Sequence, residues 1–239
     1  MNRLNGRSKL ILALDVDEVP RALELAERLT ASVGTMKVGP GLFVDGGKEL
    51  IAGVKKTGCG LFLDMKLYDI PETVARACRR ITGLGVDMLT LHASGGSRMI
   101  SAAKEAVVKA GGKTKLLAVT VLTSFDAGQL KTEWKMEETV EERVIHLAKI
   151  ARDAGADGIV CSPLELPAIR RELGPDFLAV IPGIRSDTDP ADDQRRTLSA
   201  SEAIRAGASY LVVGRPILKS SNPAQAAEDM VKEIEGALA

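Results

Sequence analysis

The stretch Gly155-Ala156-Asp157-Gly158-Ile159-Val160-Cys161 joins a helix end to the start of a strand. A glycine that ends a helix adopts the left-handed region, which it alone enters without strain. The short β-branched run behind it has the character of a buried strand. The chain writes the same junction at Gly85-Val86-Asp87, before 88–91, and at Gly207-Ala208-Ser209, before 210–213. Outward from these, comparable runs lie at 10–14, 35–38, 60–63, 116–122 and 178–181, making eight candidate strands with 158–161. The segments between them carry helical spacing: Ala22, Leu25, Ala26 and Leu29 share one face, and Val140, Val144, Leu147, Ala148 and Ala151 share another. Strand then helix, repeated, means parallel pairing. Runs such as Leu211-Val212-Val213 lack in/out alternation, as strands covered on both faces do.

Eight such strands can lie in an open doubly wound sheet or close into a ring. The count of eight, the length of 239 residues and the scatter of polar residues after several strands favour closure. The expected fold is therefore α/β, a (β/α)8 TIM barrel forming one domain over residues 1–239. The long polar loop at 183–196, after the seventh strand, is expected to act as a lid on the phosphate side.

Composition narrows the function. Apolar residues make up 45% of the chain, and no uninterrupted apolar run approaches the roughly 18 residues that cross a bilayer. No membrane partner is expected. Residues 1–9 are polar and basic, and the run at 10–14 is too short for a signal-peptide core before Asp15 interrupts it, so a cytoplasmic location is expected. Cys59, Cys78 and Cys161 are too far apart for a Cys-x-x-Cys metal site or a disulfide framework and read as small buried residues. With 32 basic against 32 acidic residues and 3% aromatics, neither the charge nor the stacking platform for nucleic acid is present. An anionic ligand must be gripped locally.

In a barrel the residues after each strand face the active-site mouth. After the third strand comes Asp64-Met65-Lys66-Leu67-Tyr68-Asp69-Ile70-Pro71. Positions two apart share a face of an extended backbone, so Asp64 and Lys66 should project together. Lys37 ends the neighbouring second strand and should lie near Asp64. These charges fit either a salt-bridge network bracing the rim or a lysine held and aimed as a general acid. Asp69 precedes Ile70-Pro71-Glu72-Thr73 and reads equally as a helix-start residue. Asp15, after the first strand, can accept bonds from ligand hydroxyls. His92, after the fourth, lacks the second histidine or carboxylate pair of a metal site and reads as a rim hydrogen-bonding residue. No metal is expected. Gly214-Arg215 after the eighth strand and Pro182-Gly183-Ile184-Arg185 after the seventh prepare the place where barrels hold phosphate.

Taken together, Leu-Ala-Leu-Asp15, Met-Lys37-Val-Gly, Asp64-x-Lys66-x-x-Asp69-Ile70-Pro71-x-Thr73, Leu-Thr-Leu-His92-Ala, Val-Leu-Thr123-Ser124, Pro182-Gly183-Ile184-Arg185, Gln194-Arg195 and Val-Gly214-Arg215-Pro-Ile resemble the orotidine 5′-monophosphate decarboxylase family over nearly the whole chain. The resemblance implies cofactor-independent decarboxylation of orotidine 5′-monophosphate to uridine 5′-monophosphate and carbon dioxide, the last step of de novo pyrimidine nucleotide synthesis. It implies that Lys66 protonates the carbon that loses carbon dioxide, with Asp64 beside the substrate carboxylate and Lys37 bridging Asp64 to the ribose. Asp15 and Lys37 would hold ribose hydroxyls, and Gln194, Gly214 and Arg215 the phosphate. Thr123, Pro182 and Arg185 would border the nucleotide, with residues 124–126 facing the base. Asp69, Ile70 and Thr73 would enter the neighbouring subunit's site, which makes a homodimer. The alternative is a magnesium-dependent 3-keto-L-gulonate-6-phosphate decarboxylase or hexulose-phosphate synthase, since those relatives carry a similar Asp-x-Lys-x-x-Asp motif.

Overall fold

The computed structural model describes residues 6–125, 127–184 and 198–239. Arg185, Gln194 and Arg195 lie outside the described residues, as do Asp126 and all but the first two residues of the loop expected to act as a lid. Eight parallel strands close into a ring in chain order. They are β1 Leu10–Ala13, β2 Thr35–Val38, β3 Gly60–Leu67, β4 Met88–His92, β5 Lys115–Val119, β6 Gly158–Val160, β7 Leu178–Ile181 and β8 Tyr210–Val213. Helices intervene between consecutive strands, and β8 pairs with β1, Leu10 opposite Leu211, which completes a (β/α)8 TIM barrel. Among the described residues no helix is long and apolar enough to cross a membrane.

The three repeated junctions behave as glycine requires: φ is 73° at Gly85, 89° at Gly155 and 101° at Gly207. Each turns the chain out of a helix and into a strand at a conformation a side chain would strain. The helix Val19–Leu29 buries Ala22, Leu25, Ala26 and Leu29. The helix Val140–Asp153 buries Val144, Leu147, Ala148 and Ala151, and starts on a capping box between Thr139 and Glu142. Each leucine buried this way stabilises by about 1.5–3 kcal/mol, so the amphipathic stripe, more than helix propensity, holds these helices on the ring. The three cysteines are buried, and none forms a disulfide.

Two cores result. The larger lies between the sheet and its helices. The smaller fills the ring itself, where Ile11, Phe62, Met88, Leu117 and Val180 meet. Below that plug, Lys115 Nζ reaches Tyr210 OH at 3.3 Å across the strand starts. Filling the lower half leaves the space at the C-terminal ends of the strands for a ligand.

Two strands differ from the expected bounds by more than one residue at an end. β3 runs on to Leu67, because its pairing with β4 steps from Leu63 opposite Leu89 to Leu67 opposite Leu91, a bulge that absorbs the extra residues. β5 stops at Val119. Val121 and Leu122 leave the sheet and line the cavity above it, so their apolar character serves the cavity wall instead of the ladder.

Candidate active site

The first three strands bring their charged residues to one side of the mouth. Lys37 lies in register with Ala13 on β1 and Phe62 on β3, which places its side chain between Asp15 and Asp64. Lys37 Nζ lies 3.4 Å from Asp15 Oδ1 and 3.5 Å from Asp64 Oδ2. Lys66 Nζ meets the same Asp64 oxygen at 2.9 Å. The order Asp15, Lys37, Asp64, Lys66 is thus a chain of alternating charge whose inner links are the better shielded: the Asp64 side chain is 13% exposed and that of Asp15 60%. Coulombic attraction counts for most at the shielded end.

Asp64 and Lys66 meet as their spacing requires, although not through regular alternation. The backbone at Lys66 has φ +48°, in the left-handed region, where β3 bulges. The Lys66 amide donates to Thr90 Oγ1 at 2.9 Å, and the Thr90 hydroxyl donates to Asp64 Oδ1 at 2.8 Å. Burial alone would push the Asp64 carboxyl up. The charges of Lys37 and Lys66, with the hydrogen bonds from Lys66 and Thr90, outweigh that and hold it below the ordinary carboxylate value.

His92 ends β4 at the rim. Its ring packs on Tyr68, centroids 5.8 Å apart, and makes no hydrogen bond to a described residue. Burial holds its pKa below the ordinary histidine value, the Lys66 charge adds to this, and Asp64 opposes it.

A cavity of ≈ 610 Å³ spans the mouth, within the range of small-molecule sites. Asp15, Lys37, Asp64 and Lys66 line one side, and Gly214 and Arg215 another. Val121, Leu122, Thr123, Cys161, Pro182 and Ile184 form a mostly apolar wall opposite. Gly183, also in that wall, has φ +78° and lets the chain turn sharply off β7. Lys219 also lines the cavity. Its amide bonds to the Arg215 carbonyl at 2.9 Å, so it stands one helical turn beyond Arg215 on the same face. Asp69, Ile70 and Thr73 are exposed and do not line this cavity, Ile70 being 67% exposed. Of the residues expected in the site, the structure therefore gathers Asp15, Lys37, Asp64, Lys66, Thr123, Pro182, Gly214 and Arg215.

Sequence reasoning missed two residues. Lys219 carried a usable signal, its i+4 spacing from Arg215. Thr90 carried none, since a threonine between two leucines reads as strand filler.

Among the described residues no three His, Cys, Asp or Glu side chains cluster as metal ligands would. Asp64 already has both oxygens engaged, one by Thr90 and the other by two lysines. The site is built to receive an anion with fixed cations.

Comparison with known proteins agrees with this geometry. A family model described as "Orotidine 5'-phosphate decarboxylase / HUMPS family" matches residues 8–230. The chain is 47% identical over 237 residues to an orotidine 5'-phosphate decarboxylase of Trichlorobacter lovleyi, covering 98% of each. It is 44% identical to one of Moorella thermoacetica, covering 98% of this chain and 95% of that one. Among solved structures, orotidine 5'-phosphate decarboxylase from Lactobacillus acidophilus superposes with a TM-score of 0.84 at 37% identity, over 94% of this chain and 98% of that one. With the barrel, the alternating charges at its mouth and matches that run nearly end to end in accord, the chain belongs to the orotidine 5′-phosphate decarboxylase / HUMPS family.

Proposed function

We propose that the chain converts orotidine 5′-monophosphate to uridine 5′-monophosphate and carbon dioxide without a cofactor, as the last step of de novo pyrimidine nucleotide synthesis in the cytoplasm. The observation that carries this reading is the Lys66 ammonium, set 2.9 Å from Asp64 at one side of a cavity that Arg215 also lines. The substrate carries a carboxylate on C6 of its base and a phosphate on its ribose. Breaking the bond from C6 to the carboxyl carbon leaves the electron pair on C6 and releases carbon dioxide. Lys66 Nζ supplies the proton to C6 and recovers one from water. The C6 anion is poorly delocalised, and enzymes lower the largest such barriers by on the order of 20 kcal/mol. A cation already in place where the charge develops supplies most of that, because no solvent has to reorganise around it.

The rest of the site grips the substrate. Asp15 and Lys37 take ribose hydroxyls. Gln194, Gly214 and Arg215 take the phosphate, with Lys219 one turn beyond. Thr123, Pro182 and Arg185 border the nucleotide. The loop at 183–196 serves as its lid. Asp69, Ile70 and Thr73 project into the site of a second copy in a homodimer. That reading is supported by the exposure of Ile70 and Tyr68, 67% and 64%, on the segment that leaves β3. Phosphate binding far from C6 supplies energy that can be spent on ordering the charged end.

The magnesium-dependent reading needs free carboxylate oxygens, and those of Asp64 are engaged. Incubation with orotidine 5′-monophosphate and excess EDTA, followed by the loss of pyrimidine absorbance, tests the proposal. Full turnover is expected, and no turnover with or without added magnesium refutes it.

A further inference from the structure

We propose that Thr90 is a positioning residue of this site, whose single hydroxyl fixes both the orientation of the Asp64 carboxylate and the backbone turn that aims Lys66. The inference rests on the decarboxylase reading above.

Thr90 sits on β4, fully buried. Where β3 bulges, the Lys66 amide has no place in the ladder to β4, whose register steps from Leu63 to Leu67. A buried amide without a partner is costly, and Thr90 Oγ1 accepts from it at 2.9 Å. The same residue has φ +48°, a conformation that a lysine keeps only when its surroundings hold it there. A hydroxyl has one proton to give, and this one goes to Asp64 Oδ1 at 2.8 Å. Asp64 Oδ2 is thereby turned to Lys66 at 2.9 Å and Lys37 at 3.5 Å. Among the described residues, the groups that face Asp64 are Lys37 from β2, Lys66 from β3, and Thr90 with the His92 ring from β4. Thr90 is the only one of them that contacts Asp64 and the Lys66 backbone at once. Its removal therefore disturbs the reacting ammonium without touching the phosphate end.

Thr90→Val keeps the shape and removes both bonds, while Thr90→Ser keeps both. In the valine variant, kcat for orotidine 5′-monophosphate should fall roughly 10- to 100-fold, the rate equivalent of a lost hydrogen bond to a charged group. The Kd for uridine 5′-monophosphate, measured by calorimetry, should stay within about twofold, since uniform binding is kept. The serine variant should recover most of kcat. The Asp64 carboxyl carbon, followed by NMR in ¹³C-labelled protein, should titrate at higher pH in the valine variant, because a bond to the charged form is gone. An unmoved Asp64 titration, an unchanged kcat, or a serine variant as slow as the valine one overturns the proposal. Thr90→Ala takes the same measurements should the valine variant not fold. A wild type without turnover refutes the decarboxylase reading, and the Asp64 titration then still decides the role of Thr90.

Discussion

Asp64→Asn should separate the cost of holding two cations together from their use in catalysis. Lys66 Nζ and Lys37 Nζ lie 2.9 Å and 3.5 Å from the same Asp64 oxygen, so they are at most about 6.4 Å apart. At an effective dielectric near 20, neutralising Asp64 exposes a repulsion of about 2.6 kcal/mol between them. The Lys66 side chain is 35% exposed, which reduces this to roughly 1–2 kcal/mol after solvent screening. Adding the loss of charge-assisted hydrogen bonds, the variant should be less stable by about 2–4 kcal/mol. Lys66→Met leaves Asp64 with Lys37 and Thr90 and should cost no more than about 1 kcal/mol. The double variant then lacks the clash and should be more stable than Asp64→Asn alone by about 1–2 kcal/mol. Turnover should be lost in all three. Urea unfolding at pH 7 and low salt measures the cycle, and added salt should shrink the deficit of Asp64→Asn. Additivity of the two single changes to within about 0.5 kcal/mol would show that the lysines do not share the carboxylate.

Arg215→Ala should raise KM for the phosphorylated substrate about 100-fold while leaving the slow decarboxylation of phosphate-free orotidine unchanged; equal losses on both substrates remove Arg215 from the phosphate grip. The lowered pKa of His92 has a definite sign for stability. Between that lowered value and the ordinary 6.5 the unfolded chain binds more protons than the folded one, so stability rises with pH through this window and is lost as pH falls. His92→Gln should flatten that slope in urea midpoints taken from pH 5 to 8, roughly the range histidine governs. Ile70→Arg places a charge in the proposed subunit contact and should give monomers by sedimentation velocity, with turnover falling in step; a variant that stays dimeric and fully active removes Ile70 from the interface.

The ring was legible because its signals are local and repeated. Left-handed glycines at 85, 155 and 207, apolar runs without alternation and the stripes of Ala22 to Leu29 each follow from short-range sterics or from burial of one face. Closure followed from counting. The charged residues were legible by register, since Lys37 and Asp64 end neighbouring strands. The extension of β3 was not, because a bulge depends on the partner strand, and Asp64 and Lys66 disguise a strand as a loop. Val121 and Leu122 failed for the opposite reason: a cavity wall and a sheet interior ask for the same side chains. Thr90 depends on a contact 26 residues distant, which no pattern along one chain records.

Because β8 pairs with β1, the strand translated last lies beside the strand translated first, and Gly214 sits where an added Cβ would come within 3.5 Å of the Asp15 carboxylate. Lys37, Asp64 and Lys66 are all translated well before β8 and the proposed phosphate anchor that follows it. The proposed proton donor and the proposed phosphate anchor come together only once the final strand docks. A circular permutant that joins the native ends and opens the chain between β6 and β7 would have β7 and β8 made first, and would show whether the order of synthesis matters to how the protein matures.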